Sequence, residues 1–217
     1  MHTAAPSVSA LQTNKVLRNT YLLLAMTLTF SAVCAGITTA MNIGPGMALG
    51  MSLAALVMIF FLNKAAESSM GILFVFAFTG LLGGSLGYTL NYYASFANGP
   101  EMIMQAFGAT ALVFFGLSGY VLTTKKDFSF MGGFLIVGLM VAVIAMLANI
   151  FFQIPAVSLA INAAIVFIMS GFILFDTSRI INGGETNYIR ATVSMYLNIY
   201  NLFTSILHLL GAFGNDD

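Results

Sequence analysis

Seven apolar runs divide this chain: Thr20–Met41, Gly46–Leu62, Met70–Leu90, Met102–Leu122, Phe130–Phe152, Ile154–Phe175 and Ala191–Phe213. A bilayer's hydrocarbon core is about 30 Å thick and a helix rises about 1.5 Å per residue, so roughly 20 apolar residues cross it. Runs of this length predict spanning helices. A transmembrane barrel would show alternating segments of about ten residues instead. The second run is the shortest. Only Gln153 and Pro155 interrupt the apolar sequence between the fifth and sixth, and proline there predicts a tight turn between two helices. The first run follows a polar tail and exceeds the roughly 7–15 residues of a signal-peptide core, so it counts as a span. Charged residues are 6% of the chain, against about 25% in soluble domains, too few to coat a water-facing surface. The expected fold class is all-α integral membrane protein. One seven-transmembrane-helix bundle covers residues 20–217, behind a flexible cytoplasmic tail over 1–19 that holds Pro6, Ser7 and Ser9.

The charges orient the bundle. Lys15 and Arg18 precede the first span, Lys64 follows the second, Lys125 and Lys126 follow the fourth, and Arg179 and Arg190 bracket the connection from sixth to seventh. With seven spans, all 7 cations fall on one side and none on the other. The positive-inside rule then puts the N-terminus in the cytoplasm and the C-terminus in the periplasm. One span more or fewer would scatter the cations over both faces. Seven acidic residues balance them, which leaves no basic surface for nucleic acid. The expected partner common to the whole chain is the lipid bilayer. Cys34, the single cysteine, lies in an apolar run and has no internal disulfide partner.

Small and polar residues inside the spans carry the remaining information. Gly80, Gly83, Gly84 and Gly87 form two interleaved small-xxx-small pairs, 80/84 and 83/87. They predict a helix-packing seam, since glycine lets backbones approach closely in lipid, or else a flexible point for gating. Ser194, Asn198, Asn201, Ser205 and His208 recur at steps of four, three, four and three, one face of the seventh helix, and are expected to turn away from lipid. Asp176 stands at the cytoplasmic end of the sixth span. Asn198 lies at a similar depth, so the two could meet. Two readings are open: a structural one, in which Asp176 pairs with Arg179 three residues on and the stripe makes interhelical hydrogen bonds, or an ion- or proton-responsive polar or gating cluster of Asp176, Arg179, Ser194, Asn198 and Asn201.

Enzyme chemistry finds little support. Gly116-Leu-Ser-Gly119 imitates an intramembrane serine protease motif, but a nucleophile needs a base within hydrogen-bond reach. Ser118 and His208 differ in depth by roughly 15–20 Å at the helical rise, so no dyad is expected. The lysines stand at span ends or in the tail, not inside a late helix where a retinal Schiff base would need one. No Walker-type loop or metal-spaced His/Cys cluster is present, so no catalytic residue, cofactor or metal is expected.

Several segments together resemble the Bax inhibitor-1 (transmembrane Bax-inhibitor-motif) family. They are Gly80-Leu-Leu-Gly-Gly-Ser-Leu-Gly-Tyr-Thr-Leu90, Ala106-Phe-Gly-Ala-Thr-Ala-Leu-Val-Phe114, Leu174-Phe-Asp-Thr-Ser-Arg-Ile180 and Tyr196-Leu-Asn-Ile-Tyr-Asn-Leu-Phe203. Lys15-Val-Leu-Arg-Asn-Thr-Tyr21 and Gly183-Gly-Glu-Thr-Asn-Tyr-Ile-Arg-Ala-Thr192 are similar to its bacterial YccA-like branch. The resemblance implies a non-enzymatic regulator in the bacterial inner membrane, with the membrane-anchored ATP-dependent protease FtsH as partner. It implies as the alternative a pH-sensitive calcium or cation leak gated around Asp176, with calcium or protons as ligands. Leak-type relatives carry an aspartate in each of the last two helices. Asp176 matches the first, and Asn198 stands at the second. Where the family signature usually has Gly-Pro, this chain has Gly87-Tyr88.

Overall fold

The computed structural model describes residues 10–68 and 70–214, and the regular secondary structure among them is helical. Its helices are α1 (Ala10–Ala40), α2 (Pro45–Ala65), α3 (Met70–Ala94), α4 (Gly99–Thr124), α5 (Gly132–Phe152), α6 (Pro155–Ile181) and α7 (Tyr188–Phe213), with a 3-10 turn at Ser129–Met131 before α5. All seven are long and apolar enough to cross a membrane. Helix is the form such runs must take, because hydrocarbon offers backbone N–H and C=O groups no partner outside their own segment. The hydroxyls inside the runs follow the same logic. Thr20, Thr27, Thr110 and Ser170 each donate to the carbonyl four residues back, at 2.7–2.9 Å.

The helices begin and end on local chemistry. Pro45, Pro100 and Pro155 each occupy the first turn of a helix, where a missing N–H costs nothing. Gln153 adopts the left-handed conformation (φ 52°), and Asn149 clamps the α5–α6 turn by donating to and accepting from the backbone of Ile154. The turn expected at Gln153 and Pro155 is therefore present. Asn187 caps α7, its side-chain oxygen accepting from the amides of Ile189 (2.9 Å) and Arg190 (3.2 Å).

Several helices outrun their apolar segments. Residues 10–19, expected in the tail, form the first turns of α1, and residues 1–9 lie outside those described. The sixth helix runs on from Phe175 to Ile181, and the fourth begins at Gly99, which brings Glu101 into its first turn. Hydropathy ends where polar residues begin, whereas a helix continues into the headgroup layer as long as its backbone bonds do. At 31 residues, α1 is about 45 Å long, well beyond a hydrocarbon core.

The central helices are α3 and α7. Helix α1 packs on both, α2 on α3, α4 and α6 on α7, and α5 on α6 and the 3-10 turn before it. Phe78, Ile173, Met195, Tyr196, Leu202 and Leu207 are fully buried between them. The seam between α1 and α3 is made by glycine. A Cβ on Gly83 would sit 2.7 Å from the Ser31 Cα, and one on Gly87 would sit 2.7 Å from the Thr38 carbonyl carbon. Gly80 faces the Phe30 ring and Gly84 the Met51 sulfur. The interleaved pairs thus serve two neighbours: 80, 83 and 87 meet α1, while 84 meets Met51 of α2 most closely and Thr38 of α1 at 3.6 Å.

Loop contacts gather the cation-bearing segments at one end. Arg190 reaches Glu67 (3.2 Å), Asn187 donates to the Ala66 carbonyl (2.8 Å), and the Phe128 amide donates to the Ser178 hydroxyl (3.1 Å). At the opposite end Asn91 donates to Thr39 and Asn42, tying α3 to the α1–α2 turn.

Candidate functional site

Asp176 and Asn198 are brought together by the antiparallel packing of α6 on α7. The Asn198 amide donates to a carboxylate oxygen of Asp176 at 2.8 Å. Asn198 is buried and Asp176 half-buried. Arg179 does not share this contact. Its guanidinium donates to the Gly184 carbonyl (2.9 Å), lies 3.9 Å from Glu185 and covers the Phe175 ring. Asp176 thus meets Asn198, as its depth allowed, and is not hydrogen-bonded to Arg179. The turn after α6 folds Gly184 and Glu185 back over Arg179 and supplies the partners its guanidinium takes.

The rest of the α7 stripe is not a uniform buried face. Ser205 is buried and Asn201 half-buried, its amide turned back on the Leu197 carbonyl (2.9 Å). Ser194 and His208 are exposed. Helical spacing places the five residues on one side, but cover depends on which helix lies opposite at each depth. At the far end His208 bridges three helices, through the Tyr93 hydroxyl (2.9 Å) and the Ser158 hydroxyl (3.2 Å). Ser118 pairs with Thr177 (3.4 Å), so serine and histidine are engaged with different residues.

A second polar group escaped the sequence reading. The Tyr196 hydroxyl bonds Ser31 (2.6 Å) and donates to the Thr79 carbonyl (3.1 Å), while Tyr200 bonds Ser85 (3.1 Å). Together they stitch α1, α3 and α7 at their buried centre. The signal was the four-residue step from Thr192 through Tyr196 to Tyr200, which places the three on one row of α7. Thr192 itself reaches the Thr20 carbonyl of α1 (3.3 Å).

Among the described residues, no three of His, Cys, Asp and Glu come together as a metal site. The Asp176–Asn198 pair offers one carboxylate and one amide: enough to hold two helices together, but with half the formal charge of two carboxylates facing each other.

Comparison with known proteins places the chain. A family model described as "Inhibitor of apoptosis-promoting Bax1" matches residues 13–215. An uncharacterized membrane protein of Vibrio cholerae is 56% identical over 208 residues, 95% of this chain and 93% of that protein. The Modulator of FtsH protease YccA of Escherichia coli K12 is 53% identical over 209 residues, 96% of this chain and 94% of the relative. A second E. coli strain's Inner membrane protein YccA matches over the same lengths. Seven apolar helices and such relatives make this a multi-pass inner-membrane protein. The match reaches from α1 to α7, and the chain belongs to the Bax inhibitor-1 family.

Proposed function

We propose that this protein is a non-enzymatic regulator that binds and modulates the FtsH protease in membrane-protein quality control. The observation that carries the reading is 53% identity, over 96% of this chain, to a protein named for modulating FtsH. The polar groups of the bundle are compatible with it, since they pair across helices instead of presenting a nucleophile with its base. In this reading the cation-bearing end, with Lys64, Arg179 and Arg190, faces the cytoplasm, and the C-terminus faces the periplasm. Affinity purification of the tagged protein from native membranes tests the reading. FtsH should co-purify in stoichiometric amount and should be missing from a control purification of an unrelated seven-helix protein. Equal recovery of FtsH with both would overturn it.

A second reading is a cation leak at Asp176, favoured by the contact with Asn198 between the last two helices. Two facing carboxylates share a proton and respond to pH, whereas a carboxylate facing an amide has no such coupling. Little calcium flux is expected from the reconstituted native protein, and acid-sensitive flux from Asn198→Asp. Robust native flux abolished by Asp176→Asn would put the leak first.

A further inference from the structure

A cavity of about 470 Å³ opens between α1 and α4, with Leu86 and Leu90 of α3 also in its lining and neither Asp176 nor Asn198 among the lining residues. Leu28, Ala32 and Gly36 of α1 form one wall, and Ala111 and Phe115 of α4 the other. The floor is α7, through Tyr196, Tyr200 and Phe203. The two walls meet where the Tyr21 and Phe114 rings approach to 6.0 Å, and the stack of Phe107 on Phe203 (4.3 Å) bounds the cavity on the α4 side. Its mouth is lateral. Ala32, Gly36, Ala111 and Phe115 are exposed along it, on surfaces that a membrane would cover with hydrocarbon.

Depth and chemistry define the occupant. From the level of Thr20, residues 28–36 lie roughly 12–24 Å along α1, inside a hydrocarbon core about 30 Å thick. The polar groups on the wall are already partnered: Ser31 with Tyr196, Tyr200 with Ser85, and Thr110 with the carbonyl of Ala106. Water needs about two to four polar partners to settle in a cavity, and this almost wholly apolar lining offers few. An empty apolar cavity forfeits dispersion contacts along its whole lining. A partner's transmembrane helix, about 10–12 Å across, would fit for only about one turn in 470 Å³. A flexible, unbranched hydrocarbon tail fits the volume, the depth and the lateral mouth together. We propose that the cleft between α1 and α4 is a binding site for one acyl chain of a membrane phospholipid, seated against Tyr196, Tyr200 and Phe203.

Purified full-length protein in vesicles of bacterial phospholipid, doped with a phospholipid carrying a photoactivatable mid-chain group, provides the test. Adducts on α1 and α4 residues of the cleft should exceed those on the outer face of α5, around the exposed Phe134 and Val141, by roughly five- to tenfold. Gly36→Phe and Ala111→Phe fill the cleft, and a Cβ at Gly36 meets nothing within 4 Å. Each variant should lose the cleft adducts and keep those on α5. The native labelling stands by itself should either variant fail to insert. A photoactivatable side chain at Ala111, activated in native membranes, should yield a lipid adduct. Equal labelling of cleft and α5, cleft labelling that survives filling, or capture of a second copy or another protein at Ala111 would each overturn the proposal.

Discussion

At the scale of single residues, the Asp176–Asn198 hydrogen bond separates what shape and charge contribute. Asp176→Asn preserves the outline and removes a charge that is expensive inside a membrane, so folding should be tolerated. Asn198→Ala leaves the carboxylate without its donor and should cost about 1–3 kcal/mol, read as earlier thermal unfolding in detergent. If the two variants unfold alike, the amide is not supporting the carboxylate. Tyr21 poses the converse case. Among the described residues its hydroxyl is the buried side-chain polar atom without a hydrogen-bond partner. Tyr21→Phe should therefore be neutral or stabilising by up to about 1 kcal/mol, and a clear loss of stability would show that the hydroxyl has a partner in the membrane. The Asp176–Asn198 contact was legible in sequence because both residues lie at countable depths on adjacent helices. The Tyr196 and Tyr200 bonds were not, because tyrosine reads as largely apolar and its partners Ser31 and Ser85 lie on distant segments.

Among the helices, the tightest constraint is the approach of α1 to α3. Gly83→Ala would push a methyl group into the Ser31 backbone and should cost about 1–3 kcal/mol through overpacking. Gly116→Ala has open space and should be neutral or stabilising by up to about 1 kcal/mol from helix propensity. Equal thermal stabilities for these two variants would contradict the seam. Between α4 and α5, the Asp127 carboxylate is held below the usual carboxylate range by hydrogen bonds from the Ser129 hydroxyl and amide (2.8 Å). A depressed value favours the folded turn above the ordinary carboxylate pKa and loses that support as pH falls through the lowered one. Protection of the Ser129 amide, taken against its intrinsic exchange rate, should hold at neutral pH and decline as pH falls through the lowered carboxylate value. Asp127→Asn should remove that pH dependence, and an unchanged profile would count against it. Helix number and the sharp α5–α6 turn were plain from apolar runs and Pro155. The helix ends were not, because Asp176–Ile181 and residues 10–19 are polar enough to stop a hydropathy run without stopping a helix.

For the whole molecule, the proposed orientation rests on the cation asymmetry. A C-terminal reporter active only outside the cytoplasm should report, and one active only inside should stay silent. The reverse pattern would turn the cation-bearing end away from the cytoplasmic part of any partner. That orientation serves the central claim, which is regulation of a protease by a bundle whose interior is used for packing. Degradation of a short-lived membrane substrate by purified FtsH in vesicles, with ATP, measures the claim most directly. Adding this protein at equal amount should slow substrate loss, while a heat-unfolded sample should have no effect. An unchanged degradation rate, with the protein inserted in the same vesicles as FtsH, would contradict the account.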